Sequence, residues 1–223
     1  MEEEKRHNHQ NDEMDEGLAE IIRAINRYHQ EVTITGITGD CPYGHSQGEK
    51  FIVTGMNSDG LCGSFYQAIH PLFSALEYGG GIPWEKSAGS FKASCPEMGK
   101  VQVEVKRFEN KDPMQRLKTK TDFKDMTGKG FPGIDKYRVI IEVLGIEKNC
   151  MWGHKVGARY EVGPFNIGGI CGALYEVVYP FINTLLAGGG MPWEGDKNII
   201  HGACPDPYDL LTYRLIREER QDK

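Results

Sequence analysis

Apolar and polar positions follow two regimes along this chain, and the pair of regimes occurs twice in the same order. "EVTITGIT" alternates, with Val32, Ile34 and Ile37 as its apolar positions, and predicts a strand. A turn-rich loop, "GDCPYGHSQGE", leads to "KFIVTG", a second strand predicted to pair with the first as a hairpin. After the turn "NSDG" the period changes. Phe65, Ile69, Leu72, Phe73 and Leu76 in "LCGSFYQAIHPLFSALEYG" fall at helical spacing. "SFKASC" and "VQVEVKRF" return to strand pattern. The order then repeats as "RVIIEVLGI", "RYEVG", the helix "CGALYEVVYPFINTLLAG", "IIHGAC" and "LLTYRLIR". The predicted fold is α+β: two tandem ββαββ modules in pseudo-twofold relation, each one helix packed on a small antiparallel sheet.

The likeness of the halves is literal. At an offset of 109, about a third of the positions from Gly36 to Pro96 recur without a gap, including Cys41/Cys150, His45/His154, Cys62/Cys171, Tyr66/Tyr175, Trp84/Trp193, Glu85/Glu194 and Cys95/Cys204. The chain is a tandem duplication. The expected organisation is an acidic disordered tail at 1–14, an amphipathic helix at 15–30 carrying Leu18, Ile21, Ile22 and Ile25, a first module at 31–108, a polar linker at 109–136 and a second module at 137–218.

"GGGIPWE" at 79–85 and "GGGMPWE" at 188–194 follow the two helices. One glycine at such a place closes a helix end in the left-handed conformation. Two more imply close backbone approach. The sequence leaves two readings of the rest. Either Trp84 and Trp193 plug a tight turn, or the loop lines a ligand pocket with Trp84, Glu85, Trp193 and Glu194 as binding residues. Pro71 and Pro180, each in mid-helix, predict a kink.

Charge narrows the function classes. The net charge of −6 lies within residues 1–20, where eight acids face two bases; the remaining chain holds 24 of each. Nucleic-acid binding needs a basic footprint, so nucleic acid is not expected as a partner. With no apolar run of membrane-span length and no signal-peptide pattern, the expectation is a cytoplasmic protein without membrane partners. The sequence leaves oligomeric state open.

All six cysteines belong to the repeat, and an odd number per module in a reducing compartment disfavours disulfides. Each module offers three Cys and one His: Cys41, His45, Cys62 and Cys95 in the first, Cys150, His154, Cys171 and Cys204 in the second. Such a set suits tetrahedral zinc, although the wide spacing requires the fold to gather it. Zinc is thus the candidate ion, and the cofactor is otherwise unknown. Cys62 and Cys171 open the helices in "DGLCG" and "GGICG". The helix dipole there lowers a thiol pKa, which makes these two the candidate catalytic nucleophiles.

The motifs C-x-x-G-H, G-x-C-G, G-G-G-x-P-W-E and C-P-[DE] over residues 31–107 and 138–217 resemble a small uncharacterised prokaryotic family of single-module, cysteine-containing proteins. The resemblance implies no activity. This chain departs from the family form by its doubling, its acidic head and its leading helix. The expected function is binding of a metal ion or small molecule through the repeated Cys/His sites. A thiol-dependent enzyme acting on a small molecule through Cys62 and Cys171 is the alternative, and a non-catalytic scaffold with structural cysteines is the third reading.

Overall fold

A computed structural model describes residues 16–115 and 126–221. The acidic tail and the middle of the linker lie outside the described residues. The helix α1 (Glu16–Ile25) precedes the first module, formed by β1 (Tyr28–Ile37), β2 (Lys50–Val53), α2 (Gly63–Glu77), β3 (Ser90–Ser94) and β4 (Val101–Glu109). A short helix the sequence pattern did not reveal, α3 (Pro132–Lys136), leads into β5 (Tyr137–Gly145), β6 (Arg159–Val162), α4 (Gly172–Leu186), β7 (Ile199–Ala203) and β8 (Thr212–Glu219). The two sheets are antiparallel and equivalent, in the orders β2-β1-β4-β3 and β6-β5-β8-β7. Both register shifts fall at the same point, between Ile34 and Gly36 and between Val143 and Gly145. β1 begins at Tyr28 rather than near 31, because Tyr28, His29 and Gln30 pair with Glu109, Phe108 and Arg107 of β4.

Successive residues along a strand alternate between core and surface, as the period-two pattern demands. Val32 and Ile34 of β1, Val103 and Val105 of β4, and Phe65, Ile69, Phe73 and Leu76 of α2 are buried, and the same positions are buried in the second module. The two sets form one continuous core. Each helix runs through its proline as a single element.

The modules interlock at the starts of α2 and α4. Gly63 N–H donates to the Phe165 carbonyl of the second module at 2.8 Å, and Gly172 N–H donates to the Met56 carbonyl of the first at 2.8 Å. Each helix therefore receives one of its orphan N-terminal bonds from the opposite half. Tyr175 and Tyr66, both fully buried, close over these glycines: a Cβ at Gly63 would overlap the Tyr175 hydroxyl, and one at Gly172 the Tyr66 hydroxyl. The hydroxyls donate to Gly163 and Thr54 carbonyls at 2.8 and 2.9 Å.

The triple glycines have separate reasons. Gly79 and Gly188 take φ of 82° and 86° and end the helices. A Cβ at Gly80 would sit 2.7 Å from the Ala75 carbonyl oxygen, and one at Gly190 would sit 2.6 Å from that of Lys197. An arginine ties each loop to its helix. Arg107 Nη1 donates to the carbonyls of Leu76 and Gly80 at 3.1 and 2.8 Å, and Arg217 Nη1 to those of Leu185 and Gly189 at 2.7 and 3.3 Å. A cation there also favours the negative end of the helix dipole.

One buried group breaks the symmetry. Glu77, 4% exposed, replaces Leu186 of the second module and accepts the Gly55 N–H through both oxygens at 3.2 Å. Burial pushes its carboxyl from 4.5 up to about 7, against the pull of the Gly55 bond. The folded chain thus holds this proton more tightly than the unfolded one. The resulting stabilisation is full below about pH 4.5 and is lost as pH rises through 7, a fall on the order of 3 kcal/mol. Glu77→Gln flattens the stability profile across that window relative to the parent chain, as read by urea unfolding at a series of pH values. At the module interface, Gly172→Ala lowers stability by roughly 1–3 kcal/mol through overpacking against Tyr66, seen as a lower denaturant midpoint at unchanged slope.

Candidate functional site

The fold gathers the cysteines that the sequence scatters. Cys41 lies in the β1–β2 loop, Cys62 immediately precedes α2, and Cys95 immediately follows β3. All three line one small cleft of about 20 Å³, together with Pro42, Tyr43, Ser64, Glu97 and Phe165. In the second module Cys150, Cys171 and Cys204 are close enough to perturb one another electrostatically. The local turns are fixed by backbone bonds. Gly44 N–H donates to the Cys41 carbonyl at 2.8 Å, and Cys95 N–H to Val101 at 2.7 Å; Gly153 and Cys204 repeat both.

The histidines stand behind the thiols with their ring nitrogens engaged. His45 Nε2 accepts the Cys62 N–H at 3.1 Å while Nδ1 faces Glu49 Oε2 at 3.1 Å. His154 Nε2 accepts the Cys171 N–H at 3.4 Å and Nδ1 meets the Tyr160 hydroxyl at 3.2 Å. Nε2 thus caps a helix start with the lone pair a metal would need. Among the described residues, no group of three or more His, Cys, Asp or Glu side chains is arranged to hold a metal ion. The four-member set expected from the sequence is therefore not in place as a finished ion site: the thiols converge and the imidazole supports their loop.

The expected low-pKa thiols are also corrected. Cys62 and Cys171 are 6% and 3% exposed, and burial pushes both up to about 12. Backbone N–H groups at the helix starts, Ser64 and Phe65 for Cys62 and Leu174 for Cys171, pull the other way without forming a capping hydrogen bond. Burial likewise raises Cys95 and Cys150, and Cys204 to about 11. Burial thus favours the protonated form of Cys62, Cys95, Cys150, Cys171 and Cys204, which opposes the nucleophilic role expected of Cys62 and Cys171.

Two neighbours of the thiols, Tyr43 and Asp209, escaped the sequence reading, as did the loop-bracing Arg107 and Arg217. Tyr43 is buried beside Cys62 and Cys41, and burial lifts its hydroxyl to about 12. Asp209, 2% exposed, bears on Cys150, Cys171 and Cys204. It occupies a turn one residue longer than its counterpart, since Cys204 pairs with Leu211 where Cys95 pairs with Val101. That insertion shifts the offset and hides the residue from a repeat alignment. Arg107 and Arg217 were missed for the same reason.

Trp84 and Trp193 are 73% and 71% exposed, so neither plugs its turn. The glutamates brace the loops instead: Glu85 accepts the Lys92 N–H at 3.2 Å, and Glu194 accepts the His201 N–H at 2.8 Å with its second oxygen 3.0 Å from His201 Nδ1. Trp84 and Glu85 do border an open groove of about 640 Å³ over β3 and β4. No helix among the described residues is long and apolar enough to cross a membrane. Comparisons with protein-family models, curated proteins and solved structures find no match.

Because thiolate is the alkylated species, iodoacetamide at pH 8 labels Cys62 and Cys171 at least about a hundredfold more slowly than an unperturbed thiol of pKa near 8.5, with rates still rising above pH 10. Peptide mass spectrometry of the native chain checks this.

Proposed function

We propose that this chain is a binding protein for soft, thiophilic metal ions, with one three-thiol cleft per module. The observation that carries the reading is the convergence of Cys41, Cys62 and Cys95 on one cleft from three separate elements. Its volume of about 20 Å³ is near that of a single water, which favours an ion over an organic ligand. Three sulfur donors select ions such as Cu(I), Zn(II) or Cd(II) over Mg(II) or Ca(II). Rotation of the thiols onto the ion completes the site. His45 and His154 act as positioning residues that hold the Cys62 and Cys171 backbones.

Deprotonation opposes binding but does not forbid it. Ionising Cys62 alone at pH 7.5 from a pKa of about 12 costs about 6 kcal/mol, and the raised Cys95 thiol adds to this. Structural zinc in peptides releases about 10–16 kcal/mol. A bound cation offsets the repulsion among neighbouring thiolates, and because binding releases their protons, affinity rises with pH.

Titrating reduced, metal-free chain with Cd(II) at pH 7.5 tests this. The expected result is an ultraviolet thiolate-to-metal band saturating at two equivalents, with proton release. Cys62→Ser or Cys95→Ser removes one equivalent and leaves the other. A chain that shows no such band, or whose Cd(II) uptake survives these substitutions unchanged, overturns the reading.

A further inference from the structure

A second pair of cavities lies behind the two cap turns, and the duplication makes them comparable. Each is bounded by the helix ahead of its module, the first residue of the following strand (Tyr28 or Tyr137), and the turn that caps the opposite helix. In the first module Ile22 and Ile25 of the ten-residue α1, with Met151 and Trp152 from the other half, leave about 40 Å³. In the second, α3 has only five residues and the groove opens to about 230 Å³. This space is far larger than the thiol cleft and suits a body of roughly ten non-hydrogen atoms, smaller than a drug-sized ligand.

Its walls and its polar groups specify different parts of an occupant. Val139, Val162, Phe165 and Leu186 form an apolar wall. Asn166 Oδ1 accepts the Gly168 N–H at 2.9 Å, while its Nδ2 is buried with no hydrogen-bond partner. A buried donor in that state destabilises the empty site and favours an acceptor brought by a ligand. Arg220 donates from Nε to the Ile134 carbonyl at 2.8 Å and from Nη2 to Glu161 at 2.7 Å, which leaves Nη1 for a further acceptor. Two donors beside an apolar wall match a carboxylate on a compact hydrocarbon body, with Arg220, already paired with Glu161 through Nη2, offering one charge-assisted bond from Nη1 and Asn166 Nδ2 the other.

We propose that the cavity between α3, β5 and the Gly163–Asn166 turn binds a small apolar monocarboxylate, with Asn166 Nδ2 and Arg220 Nη1 receiving its oxygens. This site is distinct from the thiol clefts and does not depend on the metal reading. Among the described residues Phe165 alone borders both, on one side this cavity and on the other the cleft of Cys41, Cys62 and Cys95.

The probe is 3-phenylpropionate, titrated calorimetrically into the full chain at pH 7, with 3-phenylpropanol as the uncharged comparison. The acid binds and raises the melting temperature, and the alcohol binds at least about tenfold more weakly. Asn166→Asp keeps the acceptor for Gly168 and replaces the unused donor by a charge of the ligand's own sign, so it abolishes binding of the acid. Arg220→Gln weakens the acid and leaves the alcohol unchanged, and serves should the first variant fold poorly. Failure of the acid to bind at millimolar concentration, equal binding of acid and alcohol, or undiminished binding in the folded variants overturns the proposal.

Discussion

The reciprocal bond at the two helix starts is the constraint on which the rest of the structure depends. Gly63 N–H reaches Phe165 and Gly172 N–H reaches Met56, so each helix begins on a carbonyl from the other half. The contact is close only because positions 63 and 172 lack side chains, and Tyr66 and Tyr175 fill the space a Cβ would take. A lone module would leave this N–H and this tyrosine face in search of partners. The single core spanning both modules is the packing counterpart of that exchange. Since Cys62 and Cys171 adjoin the exchanged glycines, the position of each deepest thiol is set by the half of the chain that does not contain it.

That same placement decides the contest over thiol chemistry. A helix N-terminus offers an anion about 0.3–1 kcal/mol at an exposed site and about 2 at best. Moving a thiol from 9 to about 12 corresponds to about 4 kcal/mol in the opposite direction. The dipole is present and is overruled, because interlocking the modules removes water from the helix starts. Cysteine at these positions therefore favours the protonated thiol, and any cation bound there has to displace that proton.

Much of this was legible because the sequence carried its own comparison. The strand and helix order followed from periods of two and 3.6, and the doubled Cys-Gly and triple-glycine motifs marked where backbone had to approach closely. What stayed hidden was what spacing does not encode: long-range backbone partners, the direction of side chains, and the phase of the repeat beyond an insertion. Trp84 is identical to Trp193, yet both face solvent because Glu85 and Glu194 already fix the loops to the strands that follow. His45 read as a ligand because the backbone N–H that claims its Nε2 is 17 residues away. Asp209 fell at an insertion, where alignment of the halves loses its phase.

The halves also differ where the shared exchange makes no demand. Positions 30 and 139 are equivalent, but Gln30 is fully buried with neither amide atom hydrogen-bonded among the described residues, whereas Val139 is apolar wall. Glu77 and Leu186 form a second such pair, and the ten-residue α1 against the five-residue α3 a third. Buried polar groups without full partners destabilise a fold, so random drift removes them unless something offsets the loss. Both halves hold such groups, Gln30 in the first and Asn166, Glu176 and Arg214 in the second, while the larger cavity lies in the second. The glycine–tyrosine exchange holds both halves in one geometry at the helix starts, so the halves diverge in lining residues, in the helix ahead of each module and in the turn that holds Asp209.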